Sequence, residues 1–209
     1  MARITQRSVE MRIGIIGSGR VGTALKTGWS RVGHDVQTAS RASGPSPAEI
    51  ADWADVIVLA IPFAAIPDVA SDIGPAVGKV IIDCTNPIAT GPDGMGLALG
   101  HTTSGAETLQ ALLPQAHVVK TLNQVGAEVM ADTTGFTPPP VQLLAGNDAE
   151  IKATVARLLG DLGFEPLDAG GLSKARLLEP FALVWINQAM AQGKGRNWAF
   201  GAIERGPAP

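Results

Sequence analysis

Six residues, Gly17-Ser18-Gly19-Arg20-Val21-Gly22, constrain this chain more than any other stretch. They follow a β-branched run from Met11 to Ile16 and precede Val21, Leu25, Gly28 and Val32, which recur at helical spacing until Gly33. A buried parallel strand that passes straight into a helix needs a tight turn, and glycines at G-x-G-x-x-G spacing allow it. The first glycine permits the turn, the second lets a pyrophosphate approach the backbone, and the third lets helix and strand pack closely. The helix N-terminus then faces the phosphates. The plain alternative is a strand-to-helix turn with no ligand. The elements on both sides favour a nucleotide.

The rest of the chain repeats that alternation. Val36 to Ala39, Val56 to Ile61, Lys79 to Asp83 and His117 to Leu122 read as further strands. Pro47 opens a short helix, Pro62 permits another through about Ser71, and Glu107 to Leu113 reads as a third. Gly91 to Gly105 is glycine-rich and reads as a long loop. Beyond Gly126, Val141 to Ala145 is a strand, and Asn147 with Glu150 forms a capping-box pattern. A helix carrying Ile151, Val155, Leu158 and Leu162 follows, closed by Gly163, and Phe164 to Asp168 is a last short strand. Leu172 to Gln192 is apolar on more than one face, with Pro180 forcing a kink or a fresh start.

The expected class is α/β: a Rossmann-type, doubly wound, mostly parallel sheet with right-handed crossovers and a smaller C-terminal α/β extension. Residues 1–10 form a loose extension, 11–125 a dinucleotide-binding domain, and 126–209 a smaller unit that completes a cleft.

Composition removes other classes. With 45% apolar and 17% charged residues the chain is not globally disordered. The longest apolar run, Val56 to Pro67, stops at Asp68, short of the roughly 18 residues a membrane span needs. A net charge of −3 and only 4% aromatic residues argue against nucleic acid as a partner. Cys84, the single cysteine, makes neither an internal disulfide nor a cysteine metal cluster. His34, His101 and His117 lack metal-ligand spacing, so no metal is expected. No secretory signal is read at the start, and a cytoplasmic setting is the default.

The end of the second strand selects the nucleotide. NAD enzymes usually hold the ribose hydroxyls there with Asp or Glu, about 20 residues past the glycines. This chain has Ser40-Arg41, and Asp35 lies at the wrong end of the strand. A hydroxyl beside a guanidinium suits a 2′-phosphate. NADP(H) is therefore expected over NAD(H).

Several further segments carry a specific resemblance. Gly14 to Gly22, then Gly33-His34-Asp35-Val36 leading to Ser40-Arg41, resembles the family of deazaflavin-coenzyme (F420)-dependent NADP oxidoreductases. Asp83-Cys84-Thr85-Asn86-Pro87 looks like that family's D-x-T/S-N-P segment, and Val118 to Ala127 is similar to its V-V-K-A-F-N-x-V-G-A segment. Ala169-Gly170-Gly171-Leu172 with Ala175 to Pro180 resembles a motif near its C-terminus. The resemblance implies reversible hydride transfer between NADP(H) and a second redox cofactor bound in one cleft, most specifically a deazaflavin, with a flavin as another candidate. It implies that Gly17, Ser18, Gly19, Arg20 and Val21 hold the pyrophosphate and Ser40 and Arg41 the 2′-phosphate. Ala60, Ile61 and Pro62 would pass near the nicotinamide.

Hydride transfer between two rings needs alignment and water exclusion more than acid–base groups. Were the small-molecule substrate a carbonyl or imine, a proton donor would be required. Lys120, at a strand end facing the cleft, and Lys174 are candidates, while Asn123 and Asn86 could orient an amide or carbonyl edge. Glu179 is expected to pair with Arg176 at helical spacing. The alternative functions are thus an NADPH-dependent carbonyl or imine reductase, or a non-catalytic redox sensor that binds NADP(H). The broad apolar helix of residues 172–192 predicts a homodimer.

Overall fold

The structure, a computed structural model, describes residues 10–40, 44–92 and 94–206. The expected extension lies outside the described residues over 1–9, and so does Arg41.

Strand β1 (Arg12–Ile16) is buried at every position after the first, and the glycine loop leads from it into helix α1 (Arg20–Arg31). That helix ends as the glycine predicts. Gly33 takes φ +98°, and the amides of Gly33 and His34 donate to the carbonyls of Ser30 and Trp29. Strand β2 (Asp35–Ala39) pairs with β1 in parallel and places Asp35 opposite Arg12, far from the loop. Helix α2 (Pro47–Trp53) starts at the expected proline, capped by reciprocal bonds between Ser46 and Glu49. Strand β3 (Val56–Leu59), helix α3 (Ile66–Ile73) and strand β4 (Val80–Asp83) continue the alternation.

Two elements depart from expectation between β4 and the next strand of the sheet. The glycine-rich stretch read as one loop contains a hairpin, β5 (Ile88–Gly91) with β6 (Gly94–Leu97), pairing antiparallel as a separate two-stranded sheet. Gly94 at φ +97° supplies the turn. Helix α4 (Gly105–Leu112) follows, capped by Ser104, and leads to strand β7 (His117–Lys120). A short helix α5 (Ala127–Ala131), not anticipated, then packs on α1.

Strand β8 (Val141–Gly146) pairs antiparallel with β7, and β9 (Glu165–Gly170) pairs parallel with β8 across helix α6 (Ala149–Asp161). The α6 cap is Asp148, whose carboxylate accepts from the amides of Glu150 and Ile151. Asn147 instead turns away and accepts from the Leu172 amide. Helix α7 (Ala175–Ile186) runs through Pro180 without the expected break and passes into a π-helical turn at Asn187–Ala191. Pro180 lies on the solvent side, where water can replace the missing amide donor.

The main sheet has the order β2-β1-β3-β4-β7-β8-β9, parallel except at β7–β8. Helices cover both faces over two buried apolar clusters. One is built on Leu25, Trp29, Val155 and Leu158, the other on Ile50, Ile57, Ile81 and Leu109. This is the expected α/β, Rossmann-like architecture. Because β2 and β3 flank β1 on opposite sides, a crevice opens beyond the carboxyl ends of β1 and β3, where sheets of this kind bind ligands.

Candidate functional site

Steric demands at the glycine loop separate the three glycines by role. A Cβ on Gly17, at φ +121°, would stand 2.2 Å from the Ala60 carbonyl oxygen. One on Gly22 would stand 1.9 Å from the Gly17 carbonyl oxygen. Those two glycines let β1, β3 and α1 meet at the loop. Gly19 is different: its φ is −73°, and nothing lies within 4 Å of the position its Cβ would take. The protein leaves that side open above the first amides of α1.

A groove of about 810 Å³ runs across this opening. Gly17, Ser18 and Gly19 form one bank, Ser40 lies at the end of β2, and Ala60, Ile61 and Pro62 form the other bank beyond β3. Of the sequence-predicted binding residues, Gly17, Ser18, Gly19, Ser40, Ala60, Ile61 and Pro62 line this groove; Arg20, the half-buried Val21 and Asn86 do not, and Arg41 lies outside the described residues. Ser46, Pro47, Asp68 and Asp72 also line the groove. Only Ser46-Pro47 had a visible signal, as a helix start, and nothing in the spacing marked the two aspartates as lining residues. An open cradle over a helix N-terminus, in a groove of this volume, fits a dinucleotide.

Arg20, the first residue of α1, is exposed, and its guanidinium donates to Glu128 at the start of α5. Glu128 also accepts from Arg196 Nε, at 3.2 Å to each carboxylate oxygen. Partial burial would raise the Glu128 carboxyl, but the bonds from its own amide and Arg196, with the charges of Arg196 and Arg20, hold it below its ordinary value. Arg196 belongs to an irregular C-terminal strap that closes on α7. There Trp185 stacks on Trp198 with ring centroids 5.7 Å apart, and Phe181 meets Phe200 at 4.6 Å.

The strand ends beside the crevice carry a polar network. Lys120 is fully buried; its Nζ donates to Asp83 Oδ2 at 3.0 Å and to the Thr85 carbonyl, and lies 3.1 Å from Glu179 Oε1. Burial by itself would lower this ammonium's pKa, but the two carboxylates outweigh it and hold it above 10.5. Glu179 also accepts the amides of Gly105 and Ala106, so the second negative charge is met by the positive end of α4. The expected Glu179–Arg176 pair does not form. Arg176 makes a bidentate contact with Glu107 instead, because Glu179 faces the sheet while Arg176 reaches outward. Lys174 is exposed just before α7.

Asn123 and Asn86 are joined. Asn123 Nδ2 donates to Asn86 Oδ1 at 2.9 Å and to the Leu178 carbonyl, while Asn86 Nδ2 donates to the Asn123 carbonyl. Gln124 completes the group, exchanging both backbone bonds of Leu143 through its side-chain amide where β7 has ended. Among the described residues, no group of three or more His, Cys, Asp or Glu is placed to hold a metal, and no helix is long and apolar enough to cross a membrane.

Known proteins are similar to this chain in sequence and fold. Residues 40–87 match the family model of coenzyme F420-dependent NADP oxidoreductases. A structure from an Arthrobacter species, provisionally assigned as an F420-dependent NADP reductase, is 28% identical and superimposes with a TM-score of 0.84 over 93% of this chain and 100% of its own. A reductive aminase from Aspergillus terreus in complex with NADPH and ethyl levulinate covers 88% of this chain and 64% of its own at a TM-score of 0.62; at 18% identity that likeness is one of fold. Among curated proteins, the metalloreductase STEAP3 of Rattus norvegicus is 29% identical over 184 residues, 82% of this chain. The chain spans 36% of the length of that relative. In fold and in its glycine loop the chain is similar to NADP-dependent oxidoreductases. Within that type the resemblance is to the F420-dependent NADP oxidoreductases, as the sequence motifs indicate.

Proposed function

We propose that this protein binds NADP(H) in the groove over Gly19 and transfers hydride between it and a second redox cofactor, most specifically a deazaflavin. The observation that carries the reading is the open face of Gly19, the one glycine of the loop whose missing Cβ the protein itself does not use. The Gly17–Gly19 amides and the α1 N-terminus hold the pyrophosphate, Ser40 and Arg41 the 2′-phosphate, and Ala60 to Pro62 with Asn86 border the nicotinamide. Bound there, the dinucleotide supplies the hydride chemistry. The chain's part is to orient both rings and exclude water. In this reading the bonded Asn86–Asn123 pair ties together the segments that follow β4 and β7, with Asn123 as a positioning residue.

The carbonyl or imine alternative needs a proton donor, and Lys120 does not serve as one in this arrangement, since its ammonium is closed off by Asp83, Thr85 and Glu179. The protein is taken to act in the cytoplasm as a dimer. The test is NADPH titration followed by turnover, read as loss of nicotinamide absorbance with a deazaflavin, a flavin or a panel of keto acids. Tight NADPH binding with no turnover on any of them would move the reading to a redox sensor. Turnover on keto acids alone would move it to the carbonyl reductase.

A further inference from the structure

Helix α1 begins with a charge of the wrong sign. Arg20 places a cation at the helix's positive end, and no acidic residue occupies its first turn. The negative charge comes from outside, from Glu128 on α5, which reaches Arg20 across the α1–α5 packing. The same carboxylate binds Arg196, whose backbone carbonyl lies so close to Gly126 that a Cβ there would meet it at 2.7 Å. Residues 193–206 form no helix or strand. Their ties to the body include Glu128 to Arg196, the Trp185–Trp198 and Phe181–Phe200 contacts, the bonds from the Lys194 and Gly195 amides to the Gln188 and Ala189 carbonyls, and the bond from the Val141 amide to the Phe200 carbonyl. One carboxylate thus joins the loop under the dinucleotide's phosphates to the C-terminal strap.

We infer that Glu128 is a positioning residue that couples the phosphate cradle to the strap, by holding Arg20 until a pyrophosphate takes it. The inference rests on the proposed NADP(H) reading. The Arg20 side chain is 68% exposed, so it is free to swing. A pyrophosphate arriving over Gly19 competes with Glu128 for that guanidinium and wins on charge. Arg196 then has the carboxylate to itself and holds the strap more firmly. Empty and filled cradles therefore differ in how tightly residues 193–201 are fastened.

The experiment is calorimetric titration of wild type, Glu128→Gln, Arg20→Ala and the double variant, with NADPH and with 2′-AMP, which lacks the pyrophosphate. Hydrogen exchange across 193–201, with and without NADP⁺, reads the strap directly. Glu128→Gln removes the competitor at an exposed pair, so NADPH should bind about three- to ten-fold more tightly. The gain should vanish in the Arg20→Ala background, and 2′-AMP should bind all four proteins alike. NADP⁺ should slow exchange in the wild-type strap, while in Glu128→Gln the strap exchanges faster and ignores the nucleotide. Unchanged or weaker NADPH binding by Glu128→Gln, a gain that survives Arg20→Ala, or a wild-type strap indifferent to NADP⁺ overturns the coupling. A wild-type protein that fails to bind NADPH overturns the functional reading beneath it instead.

Discussion

Lys120 on β7 and Glu179 on α7 meet at 3.1 Å in a site from which both side chains are shut off from water. This pair, with Asp83, nails the last helix and the start of α4 to the carboxyl ends of the central strands. Removing one member of a buried ionic group strands the others without a partner. Lys120→Met is therefore expected to cost about 3–5 kcal/mol, read as a fall in denaturation midpoint. A loss below about 1 kcal/mol would mean that water already reaches the two carboxylates.

The glycine loop yields a paired prediction. Gly22→Ala drives a Cβ into the Gly17 carbonyl and should lower the melting temperature sharply. Gly19→Ala meets nothing in the protein, and its φ of −73° suits alanine, so the fold should keep its melting temperature. NADPH affinity should nevertheless fall in Gly19→Ala, because the methyl fills the space a pyrophosphate needs. Full NADPH affinity in Gly19→Ala would remove the observation on which the functional reading stands.

Much of this was legible from residue order, for physical reasons that also explain the misses. Runs such as Val56–Leu59 are apolar at every position because parallel strands are covered on both faces, so periodicity finds them. The two strands of the β5–β6 hairpin carry three glycines in eight residues and no long apolar run, so they offer little pattern to read. Helix α5 is five residues long and owes its place to packing on α1. Adjacent Asn147 and Asp148 are both fit to cap α6. The choice fell to Asp148 because the Leu172 amide, distant in sequence, claimed Asn147. Glu128 and Arg196 had no signal at all, since their partners are set only when α1, α5 and the strap come together.

Acid should weaken the α4–α7 junction through Glu107. The Arg176 bonds come first in holding its carboxyl below 4.5; burial opposes them, and the Ser104 hydroxyl assists. A carboxylate with a depressed folded pKa stabilises the fold above its unfolded value, and the gain is lost as pH falls through the folded one. Wild type should thus lose stability below about pH 4.5 more steeply than Glu107→Gln, in urea melts taken at pH 7, 4 and 3. Parallel curves for the two proteins would show that the pair contributes nothing.

Cofactor choice should rest on the residues after β2. Ser40 lies in the groove at that strand's end, and the sequence on either side of it, Ala39 to Ser43, offers no acid to hold a free ribose. Arg41→Ala is expected to weaken NADPH by about 1.5–3 kcal/mol, the worth of a charged hydrogen bond, and to leave NADH nearly unchanged. Calorimetric titration with both cofactors decides it. Equal losses would take the 2′-phosphate away from Arg41.

The apolar helix divides in a way that bears on assembly. Leu178 and Trp185 are buried within the subunit, whereas Leu177 and Val184, two turns apart on α7, and Met190 in the π turn are 62%, 51% and 58% exposed. The half-exposed Phe181 lies between the first two, and β6 of the hairpin packs beside the same helix. Each large apolar side chain left in water forgoes roughly 1.5–3 kcal/mol relative to burial, and patches of this kind mark interfaces. A two-fold axis lets the face meet itself, the commonest closed solution. Light scattering at micromolar concentration should therefore report a dimer for the wild type. Val184→Glu sets like charges against each other across the axis and should yield a monomer with its melting behaviour and NADPH affinity largely kept. A wild-type monomer, or a Val184→Glu dimer, would assign the face to solvent or move the contact elsewhere.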